Sequence, residues 1–171
     1  MLIRLIRTTE VFTRWFAMIG GAIICVQMAW ISYGVFKRYV LGDPDGMVTE
    51  ATALLLFPVA FLGLAYALTE NAYPTVTYAI DALKGNAKRC LIGLNLLVMF
   101  GIGLFFSYAG VDATLKSYDS GAASEILLWP RYLFWLPGAA ALILFTWYVF
   151  LRLLAVVFNA NHEPDQEEHS S

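Results

Sequence analysis

The sequence predicts an all-α integral membrane protein with four transmembrane helices and short amphipathic helices at the membrane surface. Hydrophobic residues make up 60% of its 171 residues and charged residues only 14%, with a mean hydropathy of +0.66. A soluble domain is nearer half apolar and a quarter charged. Charge-free runs of about 20 residues, enough to cross a bilayer, also recur along the chain. We expect spans over residues 15–36, 51–69, 90–109 and 132–151.

The segment before the first span predicts an amphipathic helix over residues 2–14 that lies on the membrane surface. Its apolar residues fall on one helical face and its charged residues on the other. The alternative is that this segment is only the basic flank of the first span. A signal peptide is a third interpretation, which the long apolar run and the lack of a small-residue cleavage site disfavour.

Small and polar residues inside the spans predict where helices contact each other. Gly20 and Gly21 give the first span a surface that another helix can approach closely. Gln27 places an amide at mid-depth, and an amide in lipid needs a partner, so we expect Gln27 to face protein. Such a bond contributes only about 1 kcal/mol, so it orients the helix more than it drives assembly. Asn95 is the polar group of the third span.

A polar elbow over residues 37–50 joins the first two spans, and the rest of the chain is organised around it. Its centre is rich in residues that form turns. Glu50 either pairs with Lys37, Arg38 or a cation of a partner subunit, or is an interfacial carboxylate favoured by the helix dipole. Arg38 is either a docking residue or a snorkelling anchor. Pro58, farther along, predicts a bend in the second span.

The other connections complete a single four-helix transmembrane domain over residues 1–158. Residues 74–84 predict a second helix lying on the membrane, with a plain polar loop as the alternative. The helical pattern of the third span extends towards Tyr118, and the apolar pattern of the fourth span extends to about Phe158. Residues 159–171 are acidic and lack periodicity, which predicts a disordered cytoplasmic tail.

The distribution of cations predicts that both termini are cytoplasmic. Four spans place the two ends on the same side, and that side then holds most of the 11 Lys and Arg residues. The cytoplasmic set is Arg4, Arg7, Arg14, Lys84, Lys88, Arg89 and Arg152. The outer set is Lys37, Arg38, Lys116 and Arg131.

No ionisable side chain lies at mid-depth in any predicted span, which disfavours several functions. Proton-coupled carriers and voltage sensors place such groups in the membrane at a cost of about 2.5–3.5 kcal/mol. The sequence has no GxSxG, HExxH or Walker motif, no CxxC, and no basic run typical of nucleic-acid binding. We therefore expect no catalytic residue, metal or cofactor in this chain. Broken helices at Pro58 and Pro137 leave ion binding through backbone carbonyls as an alternative.

Two ordered groups of residues resemble the signature of the small membrane subunit of tripartite ATP-independent periplasmic (TRAP) transporters, the DctQ-like family. The first group is Arg38-Tyr39-Val40-Leu41-Gly42, then Pro44 and Glu50. The second group is Gly121, Ser124, Pro130, Tyr132 and Pro137-Gly138. The resemblance covers residues 10–155. It departs from the family over residues 73–77, where a common His-Ile-x-Val-Asp run keeps only Val76.

The resemblance implies a small non-catalytic scaffold subunit of a TRAP-type secondary transporter in the bacterial inner membrane. In such systems a periplasmic binding protein delivers an organic acid to the membrane complex. The large, DctM-like subunit carries the substrate and sodium, and the small subunit braces this elevator. The expected partners are the large subunit, the binding protein and membrane lipids, with sodium on the large subunit. The expected subunit contacts are Arg38, Glu50, Gly20, Gly21, Gln27, Asn95, Ser124, Pro130 and Pro137.

Two other functions stay open at this point. A stand-alone carrier working as a homo-oligomer would fit the four-span size. A tetraspan membrane enzyme would need polar groups at one interface, and only Asp43, Asp45 and Glu50 offer them. The lack of titratable groups inside the spans favours the auxiliary transporter subunit over both.

Overall fold

The computed structural model describes residues 2–43, 46–70 and 86–158, which are almost entirely helical. The helices are α1 (Leu2–Val40), α2 (Gly46–Leu62), α3 (Leu64–Thr69), α4 (Asn86–Asp119) and α5 (Tyr132–Val157). Four segments are long and apolar enough to cross a membrane, namely Arg4–Val40, Gly46–Thr69, Cys90–Asp119 and Tyr132–Val157. The predicted fold class, a helical membrane protein with four spans, is confirmed. Residues 74–84 and 159–171, for which we predicted a surface helix and a disordered tail, lie outside the described residues.

Helix α1 is longer than the predicted first span. Its 39 residues cover about 58 Å, whereas the hydrocarbon core of a bilayer is about 30 Å thick. Residues 2–14 are helical as expected, but they continue into the span without a break and form no separate helix. They pack on the bundle through Ile6, Thr9 and Thr13, which are all buried. Both threonine hydroxyls donate to carbonyls of the preceding turn, which satisfies them inside the bundle.

The second span is divided into α2 and α3 at Gly63. Helix α2 begins at Gly46, before the expected start at residue 51, and continues through the buried Pro58. Pro58 has no N–H to donate within the helix. The interruption follows about one turn later, and the helix resumes where the Ala67 N–H donates to the Gly63 carbonyl at 2.9 Å. The bond that Pro58 cannot make lies on its N-terminal side, whereas the break lies on its C-terminal side at Gly63, so the helix is interrupted elsewhere than the proline predicts.

Helix α5 is the centre of the bundle. It contacts α1, α2, α3 and α4, and α4 packs mainly on α5, with a further ring contact between Phe106 of α4 and Phe61 of α2. Inside its most apolar 18-residue stretch, 39% of residues are buried, against 6% for α1. The buried face of α5 includes Gly138, Ala139 and Ala141, whose small side chains allow neighbouring helices to approach closely.

A polar contact and a glycine hold α4 against α5. The Ser107 and Thr146 hydroxyls are 2.9 Å apart and buried, and the Thr146 hydroxyl also donates to the Leu142 carbonyl at 2.9 Å. Gly103 lies directly against this pair, because a Cβ at this position would be 2.7 Å from the Thr146 Oγ1. Helix α4 then continues to Asp119, as the sequence pattern towards Tyr118 indicated.

The packing of α5 on α2 generates a prediction about Gly138. A Cβ at Gly138 would be 2.2 Å from the Phe57 ring. That ring cannot easily move, because its centroid lies 4.4 Å from that of Trp135 and 4.9 Å from that of Phe61. We expect Gly138→Ala to destabilise the bundle by about 1–3 kcal/mol, which is typical of overpacking. Thermal unfolding of the purified chain in detergent measures this.

Gly101→Ala is the matched control for Gly138→Ala. Gly101 also lies inside a helix, but a Cβ there would meet nothing within 4 Å. Replacing a helical glycine by alanine at an open position stabilises a helix by up to about 1 kcal/mol. We therefore expect an unchanged or higher unfolding midpoint for Gly101→Ala. Equal midpoints for the two variants would contradict the packing described here.

Candidate interhelical site at Glu50

The elbow begins at a glycine that ends α1. Gly42 has a φ of +67°, a left-handed conformation that glycine adopts without a steric penalty from Cβ. The N–H groups of Leu41 and Asp43 donate to the Lys37 carbonyl at 3.2 and 3.3 Å. The Lys37 ammonium pairs with the Asp43 carboxylate at 3.1 Å. This cap ends the helix and turns the chain towards α2.

Glu50 lies in the second turn of α2, and its carboxylate binds the loop between α4 and α5. Its Oε1 accepts hydrogen bonds from the N–H groups of Glu125 at 2.5 Å and Ile126 at 3.1 Å. Its Oε2 accepts from Ile126 at 3.0 Å and Leu127 at 2.8 Å. Three consecutive amides thus converge on one carboxylate, and an ionised carboxylate accepts strong bonds at both oxygens. The contact joins the start of the second span to the loop before the last span.

The loop, residues 120–131, has a shape that presents these amides to Glu50. The Ser124 N–H donates to the Trp129 carbonyl at 2.8 Å, and the Trp129 N–H donates back to the Ser124 hydroxyl at 3.1 Å. Ala123 and Pro130 form an isolated antiparallel bridge at the same point. Ser124 is buried, with 2% of its surface exposed. Ser124 and Pro130 therefore close the base of a narrow turn, and Glu50 binds its first half.

This contact differs from the pairing of Glu50 with Lys37 or Arg38 that the sequence suggested. Lys37 pairs with Asp43, and Arg38 is exposed with its guanidinium 5.7 Å from the Tyr39 ring centroid. The acceptor of Glu50 is instead backbone about 75 residues farther along the chain. Backbone amides leave no mark in a sequence, which is why charge matching pointed to the nearby cations.

Helix α1 packs on α2 through two glycines, and a side-chain amide lies between them. A Cβ at Gly20 or Gly34 would be 3.0 or 2.6 Å from a side chain of α2. Between these glycines, the Gln27 amide donates to the Thr52 carbonyl at 3.3 Å. Gln27 faces protein, as expected, and that protein is helix α2 of the same chain. A Cβ at Gly21 would meet nothing within 4 Å, so the two adjacent glycines lie on different faces.

The residues predicted to make subunit contacts divide into two sets. Those with partners inside the chain are Gly20, Gln27, Glu50, Ser124 and Pro130, with Pro137 beside the packed Gly138. Gly21, Arg38 and Asn95 are exposed, and within the described ranges no hydrogen bond reaches the Asn95 amide. Contact of any of these residues with another subunit stays a prediction.

A second polar cluster, which the sequence analysis missed, lies at the end of the bundle opposite the elbow. The Tyr148 hydroxyl donates to the Glu10 carboxylate at 3.2 Å, which joins α5 to α1. The Arg152 guanidinium donates to the Leu68 carbonyl at 3.2 Å, near the end of α3, where carbonyls lack helical partners. Tyr148 and Arg152 are four residues apart, and this i, i+4 spacing was the available signal that they share a face.

The side chains of these two clusters form hydrogen bonds that join helices to one another or to a loop. Within the described ranges no group of three or more His, Cys, Asp or Glu side chains could hold a metal ion. Both carboxylate oxygens of Glu50 already accept two bonds each. The site therefore holds the loop before the last span in a fixed position relative to α2.

The fold defines an integral membrane protein of four helical spans, in which several polar side chains of the described residues bind across helices. The sequence profile of the family described as "Tripartite ATP-independent periplasmic transporters, DctQ component" matches residues 27–156. This chain belongs to that family, the small membrane subunit of TRAP transporters. The matched range contains the elbow, Glu50 and the loop that Glu50 binds. No curated protein and no solved structure matched the chain.

The Glu50 contact predicts a specific effect of Glu50→Gln. A glutamine has one acceptor oxygen and an NH₂ group that cannot accept, so about half of the bonds to the loop are lost. We expect hydrogen exchange at the amides of residues 125–127 to become roughly tenfold faster, as local opening requires less free energy. Hydrogen–deuterium exchange of the purified chain measures this.

Glu125→Gln is the control for Glu50→Gln. It also removes one carboxylate charge close to these amides, but Glu125 contacts Glu50 through its backbone N–H and its side chain is exposed. Exchange at residues 125–127 should stay at the wild-type rate. If both variants accelerate exchange equally, charge alone and not the bonds of Glu50 governs the loop.

Proposed function

We propose that this chain is the non-catalytic scaffold subunit of a TRAP-type secondary transporter. It braces a large elevator subunit that takes up an organic acid with sodium, after a periplasmic binding protein delivers the acid. Substrate and sodium bind the large subunit, and this chain carries no cofactor. The subunit lies in the bacterial inner membrane with both termini cytoplasmic, an orientation supported by the cations at the start of α1 and the end of α5.

The observation that carries this proposal is how the chain uses its polar groups. The Gln27 amide, the Ser107–Thr146 hydroxyl pair and the Glu50 carboxylate all bind within the chain. A carrier that moves a solute uphill needs polar or ionisable groups whose partners change during transport. Polar groups that are already bound between helices favour a rigid brace over a moving carrier.

The exposed surface of α1 supports a role beside a larger protein. Large apolar side chains are exposed along its whole length, for example Trp15, Ile24, Trp30 and Phe36. Among the described residues nothing lies within 4 Å of a Cβ at Gly21 on this helix, so a second helix can come close there. Asn95 presents its side-chain amide on the exposed surface of α4, without a hydrogen bond to the part of the chain that the structure describes. We propose that the large subunit covers Gly21 and Asn95.

The transport role is tested with proteoliposomes that contain this chain alone, the large subunit alone, or both, supplied with the binding protein and a labelled organic acid. A sodium gradient should drive uptake only when both membrane subunits are present. The expected difference is near-background flux for the chain alone and concentrative uptake for the pair. Sodium-dependent accumulation by the chain alone would overturn the proposal in favour of a stand-alone carrier.

The proposed subunit interface predicts opposite effects for the two adjacent glycines. Gly21→Leu and Asn95→Leu should leave the unfolding midpoint of the isolated chain unchanged, because neither residue has a partner within the described structure. Both should reduce co-purification of the large subunit. Gly20→Leu should instead lower the midpoint of the isolated chain, because a Cβ there would already be 3.0 Å from Leu62.

Co-purification from membranes that express both subunits, followed by thermal unfolding of the small subunit, measures both effects. Gly101→Leu is the control, since Gly101 lies at an open position of α4 that the proposal does not place in the interface. Normal recovery of the large subunit with both Gly21→Leu and Asn95→Leu would show that these positions face lipid.

A further inference from the structure

The loop between α4 and α5 exposes three large apolar side chains at its tip. We call residues 126–129 the loop apex. Ile126, Leu128 and Trp129 are 53%, 73% and 48% exposed. Exposed apolar residues clustered in a loop, outside the membrane-spanning helices, indicate a surface that contacts lipid or protein.

The loop apex has a fixed shape. Glu50 binds the amides of residues 125–127, and Ser124 binds Trp129 on the other side of the apex. Leu128 has a φ of +55°, a left-handed conformation that residues other than glycine adopt infrequently. Such a conformation persists when the surrounding structure determines it. The hydrogen bonds at the base of the loop therefore keep the apex in this projecting conformation.

Most backbone N–H groups of the loop donate hydrogen bonds within the chain. The N–H groups of residues 124–127, Trp129 and Arg131 all donate hydrogen bonds within the chain, and Pro130 has no N–H. Backbone groups without partners are strongly unfavourable in lipid, whereas they are harmless in water. Among residues 124–131 only the N–H of Leu128 lacks a hydrogen bond to another described residue, so the loop can enter the edge of a bilayer at a reduced cost.

The loop apex lies level with the first turns of two spans. Ile126 packs on Gly46, the first residue of α2, since a Cβ there would be 2.9 Å from its Cδ1. The Trp129 ring stacks on Phe134, in the first turn of α5, with centroids 6.0 Å apart and planes at 11°. The chain after Arg131 is free of charge to the end of the predicted fourth span. The apex thus sits at the border of the apolar region, the depth at which tryptophan is enriched.

We propose that the loop apex inserts into the headgroup and upper acyl region of the bilayer and anchors this end of the bundle in lipid. Lipid is the occupant because the apex continues an exposed apolar surface of α5, where Leu133 and Leu136 are 53% and 54% exposed. Arg131 follows the apex and is exposed at a level suited to lipid phosphates. This inference does not depend on the proposed transport role.

The test places a nitroxide label on the full-length chain at Leu128→Cys, after Cys25→Ser and Cys90→Ser remove the two free cysteines. The chain is reconstituted in vesicles of phosphatidylethanolamine and phosphatidylglycerol. Collision with oxygen, which concentrates in lipid, is compared with collision with a water-soluble nickel chelate. Phe105→Cys, at an exposed position within α4, is the lipid reference, and Ser120→Cys, at the exposed base of the loop, is the water reference.

We expect the ratio of oxygen to nickel collisions at Leu128→Cys to exceed that at Ser120→Cys several-fold and to approach the Phe105→Cys value. A ratio equal to the water reference would overturn the proposal. Low collision rates with both reagents would also overturn it, because they would place protein, such as a second copy of the chain, against the apex.

A second measurement, tryptophan fluorescence quenching, uses Trp129→Phe and therefore alters the loop apex much less than a nitroxide label does. Lipids brominated near the headgroup quench nearby tryptophans, and the difference between wild type and Trp129→Phe isolates the contribution of Trp129. That contribution should be strongly quenched in brominated vesicles. A Trp129 signal that bromine leaves unchanged would contradict insertion even if Leu128→Cys failed to fold. Glu50→Gln should weaken the quenching, because it releases the base of the loop.

Discussion

The carboxylate of Glu50 is the contact on which the arrangement of the bundle most depends. It joins the beginning of the second span to backbone amides about 75 residues later, just before the last span. A charge near the membrane border needs partners, and so do the amides of a tight turn. Each satisfies the other here, so both are removed from competition with water or lipid. The same bonds orient α2, set the start of α5 and hold the loop apex.

Polar groups elsewhere in the bundle also have hydrogen-bond partners within the protein. Gln27 binds a carbonyl of α2, Ser107 binds Thr146, and Arg152 binds a carbonyl near the end of α3. At the first two of these contacts glycines let the helices come close, namely Gly20 and Gly34 on either side of Gln27 and Gly103 beside Thr146. Because lipid is as apolar as the side chains, close packing and such bonds, rather than burial from water, hold helices together.

These bonds also bear on the proposed function of this member of the TRAP small-subunit family. A bundle whose polar groups are bound internally resists deformation, and helix α1 and the exposed face of α4 remain free to contact lipid or another subunit. The loop apex would add an attachment to lipid at the elbow end. Under the proposed function the chain supplies fixed surfaces, and the changes of conformation during transport belong to the large subunit.

The sequence by itself determined the four spans, the elbow, the family and the small and polar residues that matter for packing. These features depend on local composition and order, since hydropathy and turn formers act where they stand. Only the tertiary structure decided the partner of Glu50, the opposite environments of Gly20 and Gly21, the continuity of α1 and the contact of Glu10 with Tyr148. Each of these depends on which distant segments meet in space, and backbone amides and helix rotation carry no signature in a single sequence.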